Sequence, residues 1–134
     1  MKLPSRFIVI DDDLINNTLC RMIIKGVTKE TEIQTFNVPE VGFAYITNEY
    51  ATNEVDEPTI LFLDINMPSW TGWDFLDNFD ALDEKIKRQI KIYMLTSSVD
   101  PNDKEKAIAN RNVVEYIVKP LNGKIVSEII SKNQ

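Results

Sequence analysis

The sequence predicts an α/β protein built on a doubly wound parallel sheet of five strands. Strand-like and helix-like segments alternate along the whole chain, which requires parallel strands joined by right-handed crossovers with helices on both sheet faces. Most of the strand-like segments are continuous apolar runs, the pattern of strands buried on both faces. Polar residues gather where those runs stop: every one of the most prominent sits at the carboxyl end of a strand.

The elements follow in order. Phe7–Ile10 is the first apolar run, and Asp11, Asp12 and Asp13 follow it. Asp13, directly before a helix, reads as its N-cap. In that helix Ile15, Leu19, Met22 and Ile23 recur at i, i+4, i+7 and i+8, one apolar face that Gly26 ends. Glu32–Phe36 alternates and reads as an edge strand. Asn37 with Glu40 three places later forms an asparagine version of a capping box, opening a helix through Phe43 and Ile46. Ile60–Leu63, the most hydrophobic segment, runs straight into Asp64, with Asn66 and Pro68 close behind. A helix runs from about Gly72 to Ala81. Ile90–Leu95 is the fourth strand, ended by Thr96, and Asp100, Pro101 and Asp103 signal the next helix start with proline at its first position. Val113–Val118, the fifth strand, is expected to be buried on both faces and leads to Lys119, and a last helix covers about Gly123 to Ser131.

Composition narrows the function. The 134 residues, 43% of them hydrophobic, suffice for one core and one domain over 1–134 and are too few for two of ordinary size. A formal charge of −6 argues against a nucleic-acid binder, and the basic cluster Lys85, Lys87, Arg88 and Lys91 reads as a solvated helix end and loop. The apolar runs are far shorter than the roughly 20 residues that cross a bilayer, so no membrane partner is expected. With a single cysteine, Cys20, and no secretory pattern in "MKLPSRFIVI", the cytoplasm is the expected compartment. Histidine is absent, which removes Ser–His–Asp and Cys–His nucleophile systems and every zinc site that needs imidazole.

In an open doubly wound sheet the ligand lies outside the carboxyl ends of the strands, at the point where strand order reverses. For the order 2-1-3-4-5 that point lies between strands one and three, which brings the Asp11–Asp13 run beside Asp64. Carboxylates gathered in one crevice repel one another and need a cation. Mg²⁺, a hard ion that takes carboxylates, waters and phosphate oxygens, meets the need, with Lys119 as a second positive charge.

"FIVIDDD" (7–13), "LFLDINMPSWTG" (61–72), "IYMLTSS" (92–98) and "EYIVKPL" (115–121) together resemble the receiver domain of two-component response regulators, the CheY-like (βα)5 fold of flavodoxin-like order 2-1-3-4-5. The resemblance spans essentially the whole chain. It implies that Asp64 is the phospho-accepting nucleophile, that Asp11 and Asp12 are the acidic pair binding Mg²⁺ together with Asp64, and that Asn66 offers the metal its backbone carbonyl. Thr96 and Lys119 would contact the phosphoryl oxygens, Ser97 would leave room beside them, and Thr96 and Tyr116 would be the switch pair. Lys119–Pro120 matches a step that is commonly cis in the family.

The implied function is that of a phosphorelay receiver with self-catalysed phosphoryl transfer and autodephosphorylation, not a conventional enzyme. In the family the phosphoryl group usually arrives from a phosphohistidine, and the chain holds no histidine, so the resemblance implies a donor in another molecule: a histidine kinase, a histidine phosphotransfer protein or a small acyl phosphate. The resemblance further implies output by contact with an unknown downstream protein, as a monomer or a phosphorylation-dependent dimer, through the face formed by the fourth helix, fifth strand and fifth helix. No output domain is expected after the last helix. The alternatives are a receiver-shaped interaction module that is never phosphorylated, or a receiver excised from a hybrid kinase or longer regulator. A haloacid-dehalogenase-type phosphatase would want a second acid where Asn66 stands. Thr71 replaces the acidic residue often found before the family's glycine. Trp70 is either partner-facing surface or folded over its loop, and Trp73 is expected to pack in the core.

Overall fold

The computed structural model describes residues 4–52 and 57–134. Its strands are β1 (Arg6–Ile10), β2 (Glu32–Phe36), β3 (Thr59–Leu63), β4 (Ile90–Thr96) and β5 (Val113–Val118). They form one parallel sheet in the order β2-β1-β3-β4-β5. The helices are α1 (Leu14–Val27), α2 (Pro39–Thr52), α3 (Gly72–Asp80), the short α4 (Glu84–Lys87), α5 (Pro101–Ala109) and α6 (Gly123–Lys132).

Because side chains alternate across a strand, each strand feeds two cores. Ile8, Ile10, Leu61, Leu63, Ile92 and Met94 point to one face and pack with Ile46 and Tyr50 of α2, Phe75 and Phe79 of α3, and Ala107 of α5. Phe7, Val9, Ile60, Phe62, Tyr93 and Leu95 point to the other and meet Cys20 and Ile24 of α1 and Val126 and Ile129 of α6. β3, at the centre, is buried at every position. Each large apolar side chain so enclosed contributes about 1.5–3 kcal/mol relative to exposure, and this stiffens the strand that carries Asp64.

Four expectations need correction. β5 is not buried on both faces: only Ile117 is, while Val114 and Val118 are exposed. It is the last strand in the sheet order and has β4 as its one neighbour, and its pairing skips Val114 between the Ile92 and Tyr93 partners. α1 does not bury the face expected of it. Ile15, Leu19 and Met22 are exposed, Ile23 is half-buried, and the buried positions are Asn17, Cys20 and Ile24. The cause lies at the helix start, where Asp13 caps Ile15 and Asn16 and the Asn17 side chain binds the Asp11 carbonyl, fixing the helix's rotation. Gly26 does not end α1, which runs through Val27. α2 starts at Pro39 rather than behind an Asn37–Glu40 box, and Glu40 instead accepts a hydrogen bond from Ser69.

Candidate functional site

Asp11 follows β1 and Asp64 follows β3, neighbouring strands in register, so sheet geometry alone sets the two side by side. Asp12 completes the group: carboxylate oxygens of Asp11, Asp12 and Asp64 all lie within 4.8 Å of one another. Asp11 and Asp64 are buried and Asp12 is exposed. Lys119, just beyond β5, reaches across with Nζ 2.7 Å from Asp11 Oδ2 and 3.6 Å from Asp64 Oδ2. Its own amide donates to the Thr96 carbonyl at 2.8 Å, which ties the lysine to the end of β4, and the Lys119–Pro120 bond is cis.

Charge is unevenly met here. Burial pushes the Asp11 carboxyl above its ordinary value, and the bonds from Lys119 and the Asp13 amide only partly offset it. Burial works against the Lys119 ammonium as well, but its bond to Asp11 and the charges of Asp11 and Asp64 outweigh that and hold it above its usual value. One ammonium against three carboxylates leaves a deficit of two positive charges. An all-oxygen donor set with that deficit fits a hard divalent cation such as Mg²⁺, and exposed Asp12 leaves the crevice open to water and ligand.

Thr96 is fully buried at the end of β4, and its Oγ1 accepts from the Ser98 amide at 3.2 Å. Asn66 is exposed on the loop after Asp64, a loop fastened by the 2.7 Å bond from Gly72 N–H to the Ile65 carbonyl. Gly72 permits that closeness, since a Cβ there would stand 2.5 Å from the Asp64 carbonyl oxygen. On the same loop Trp70 is half-buried edge-to-face against Phe43 and Phe75, so it folds over the loop. Trp73 packs against the core from a half-buried position, with Lys106 Nζ 4.5 Å over its ring. Tyr116 is half-buried on β5, and its hydroxyl donates to the Ser98 carbonyl at 2.8 Å.

The sequence reasoning missed two residues at this site. Asn16 Nδ2 donates to Asp11 Oδ2 and Asn17 Nδ2 to the Asp11 carbonyl, each at 2.9 Å. The available signal was an asparagine pair in the first turn after the acidic run, where helical side chains lean back toward the strand end. Cys20, one turn further, is buried, and its thiol is pushed up to about 11, chiefly by burial and then by the charge of Asp11.

Comparison with known proteins agrees with this geometry. The family described as response regulator receiver domain matches residues 7–131. A two-component response regulator from Cytophaga hutchinsonii superposes with a TM-score of 0.86 at 32% identity, covering 98% of this chain and 97% of that one. A response regulator receiver protein from Dyadobacter fermentans gives 0.84 at 24% identity, covering 95% of each chain. The response regulator TrrA of Thermotoga maritima, in complex with Mg(2+)-BeF, gives 0.68 at 23% identity over the full length of both. The comparison with curated proteins gives no match. With β2-β1-β3-β4-β5 order, the acidic cluster at the β1–β3 edge and a family match over nearly its whole length, the chain belongs to the response regulator receiver domain family of two-component signalling.

Proposed function

We propose that this receiver accepts a phosphoryl group on Asp64 from a phosphohistidine of a histidine kinase or phosphotransfer protein, with Mg²⁺ bound by Asp11, Asp12, Asp64 and the Asn66 backbone carbonyl. The observation that carries the proposal is the meeting of three carboxylates and Lys119 at the carboxyl ends of adjacent strands. A relative held with Mg(2+)-BeF supports the choice of ion. When bound, the ion neutralises phosphoryl oxygens and so lowers the cost of bringing an anion to an anion.

The chain's own residues do the rest. Asp64 Oδ1 accepts one hydrogen bond, from the Ile65 amide at 2.8 Å, and retains a lone pair, while Oδ2, the oxygen facing Lys119, is the nucleophile. It forms the new P–O bond while the donor's P–N bond breaks and its electron pair returns to the imidazole. Lys119 neutralises a phosphoryl oxygen, and Thr96 turns its hydroxyl from the Ser98 amide toward another. Tyr116 senses that movement through Ser98, whose amide bonds Thr96 and whose carbonyl holds the tyrosine hydroxyl. The output surface is the one formed by α5, β5 and α6, where Ile108 of α5 and Val114 and Val118 of β5 are exposed, with Val99 exposed in the connection before α5. Among the described residues no helix is long and apolar enough to cross a membrane.

Intact-mass analysis after incubation with acetyl phosphate and Mg²⁺ tests the reading. One added phosphoryl mass is expected, lost in Asp64→Asn. Undiminished labelling of that variant would place the acceptor elsewhere.

A further inference from the structure

Asp11 is more tightly held than its neighbours, and the hold does not come from Lys119 alone. Its Oδ1 accepts from the Asp13 amide at 2.9 Å, and its Oδ2 accepts from both Lys119 Nζ at 2.7 Å and Asn16 Nδ2 at 2.9 Å. Asn17 meanwhile grips its backbone carbonyl. Two adjacent amides of α1 thus fix one aspartate, one at the main chain and one at the carboxylate.

Lys119 is shared between two carboxylates, and a phosphoryl group on Asp64 adds negative charge on that side of it. As the ammonium turns toward the phosphoryl oxygens, its bond to Asp11 Oδ2 weakens. Asp11 is only 1% exposed with Lys119 in place, so the oxygen that the ammonium leaves depends on the donors already built around it, and a buried acceptor left without a donor is costly. Asn16 is a neutral donor fixed in the first turn of a helix that Asp13 caps, so it stays put through this exchange. We propose that Asn16 is a positioning residue of the site: its amide holds Asp11 Oδ2, so Asp11 keeps one orientation toward the metal ion while Lys119 serves the phosphoryl group. This rests on the Mg²⁺-dependent reading above. Groups that orient a metal's ligands typically alter metal affinity or activity by ten- to a hundredfold when removed.

The test is calorimetric titration of Mg²⁺ into the metal-free full chain, comparing parent, Asn16→Leu, Asn16→Ala and Thr18→Ala. Thr18 lies on the exposed side of the same helix and bonds the Leu14 carbonyl, so it controls for effects on the helix itself. The dissociation constant is expected to rise about tenfold in both Asn16 variants and to stay at the parent value in Thr18→Ala. Phosphorylation by acetyl phosphate should be slowed in the Asn16 variants at limiting Mg²⁺ and recover in excess, a cure that a merely structural defect would not show. Mg²⁺ affinity within twofold of the parent, or a rate defect that excess Mg²⁺ leaves in place, overturns the positioning role alone. A parent that binds no Mg²⁺ overturns the metal reading and this inference with it.

Discussion

Asp64 has one oxygen engaged by a neighbouring amide and one facing an ammonium, and the loop behind it must hold that difference steady. Gly72 is central to this, because the first turn of α3 closes on the Asp64 and Ile65 backbone rather than on side chains that can step aside. In Gly72→Ala the new Cβ would stand 2.5 Å from the Asp64 carbonyl oxygen and 3.0 Å from Ile65 Cα, so main chain must shift. We expect a loss of about 1–3 kcal/mol in urea unfolding, as for other overpacked sites, together with slower phosphorylation. An unfolding midpoint equal to the parent's would mean that the loop has slack. The acidic residues and Lys119 were legible from sequence because an apolar run that stops at a charge marks a strand end. Asn16 and Asn17 were not, because polar residues early in a helix read as solvated, and a hydrogen bond back to Asp11 leaves no periodic trace.

At the scale of elements, α1 shows where periodicity stops being decisive. Both Ile15–Leu19–Met22 and Cys20–Ile24–Val27 form apolar arcs, and the choice between them was made by the cap and by Asn17, a polar residue inside the buried arc. The sequence expectation took the longer side chains and was wrong about which arc packs. Leu19→Ser should therefore change stability by no more than about 0.5 kcal/mol, whereas Ile24→Ala should cost about 2–5 kcal/mol. Equal losses in thermal melts would contradict the helix's orientation. A second element-scale link joins the end of α3 to the turn before β5, where Arg111 binds both oxygens of Asp80 at 2.9 and 3.1 Å and Asn112 adds a third bond. Arg111 first, then Asn112, lower the Asp80 carboxyl to about 2. A carboxylate depressed on folding adds stability above its ordinary value of 3.8, and that part is lost as pH falls toward 2. The stability gap between parent and Asp80→Asn should thus narrow as pH drops through that window. A constant gap would show that the pairing does not persist in solution.

At the scale of the whole molecule, the strand order and both cores were legible because alternation of element types and uninterrupted apolar runs leave few topologies open. What stayed hidden was the exposure of β5, since an edge strand that carries surface valines has the composition of a buried one. The short α4 was hidden too, its four residues offering no period to detect. The two-sided packing that holds β1 and β3 rigid also forces Asp11 and Asp64 together, so the fold stabilises an arrangement of like charges that opposes it. Under the proposed Mg²⁺-dependent function the ion would relieve this opposition only in the native state, because the unfolded chain does not gather the three carboxylates. By mass action, Mg²⁺ at ten times its dissociation constant should add about 1.4 kcal/mol, a rise on the order of 5 °C in thermal midpoint for a chain of this size. Asp12 is the residue with which to separate charge relief from packing, because it is exposed while Asp11 and Asp64 are buried. Asp12→Asn should leave the metal-free midpoint equal to or above the parent's, since one repulsive charge is gone, and should shrink the increment that Mg²⁺ adds. If instead the metal-free midpoint falls by several degrees and the Mg²⁺ increment is unchanged, Asp12 serves the turn after β1 and the cation is held without it.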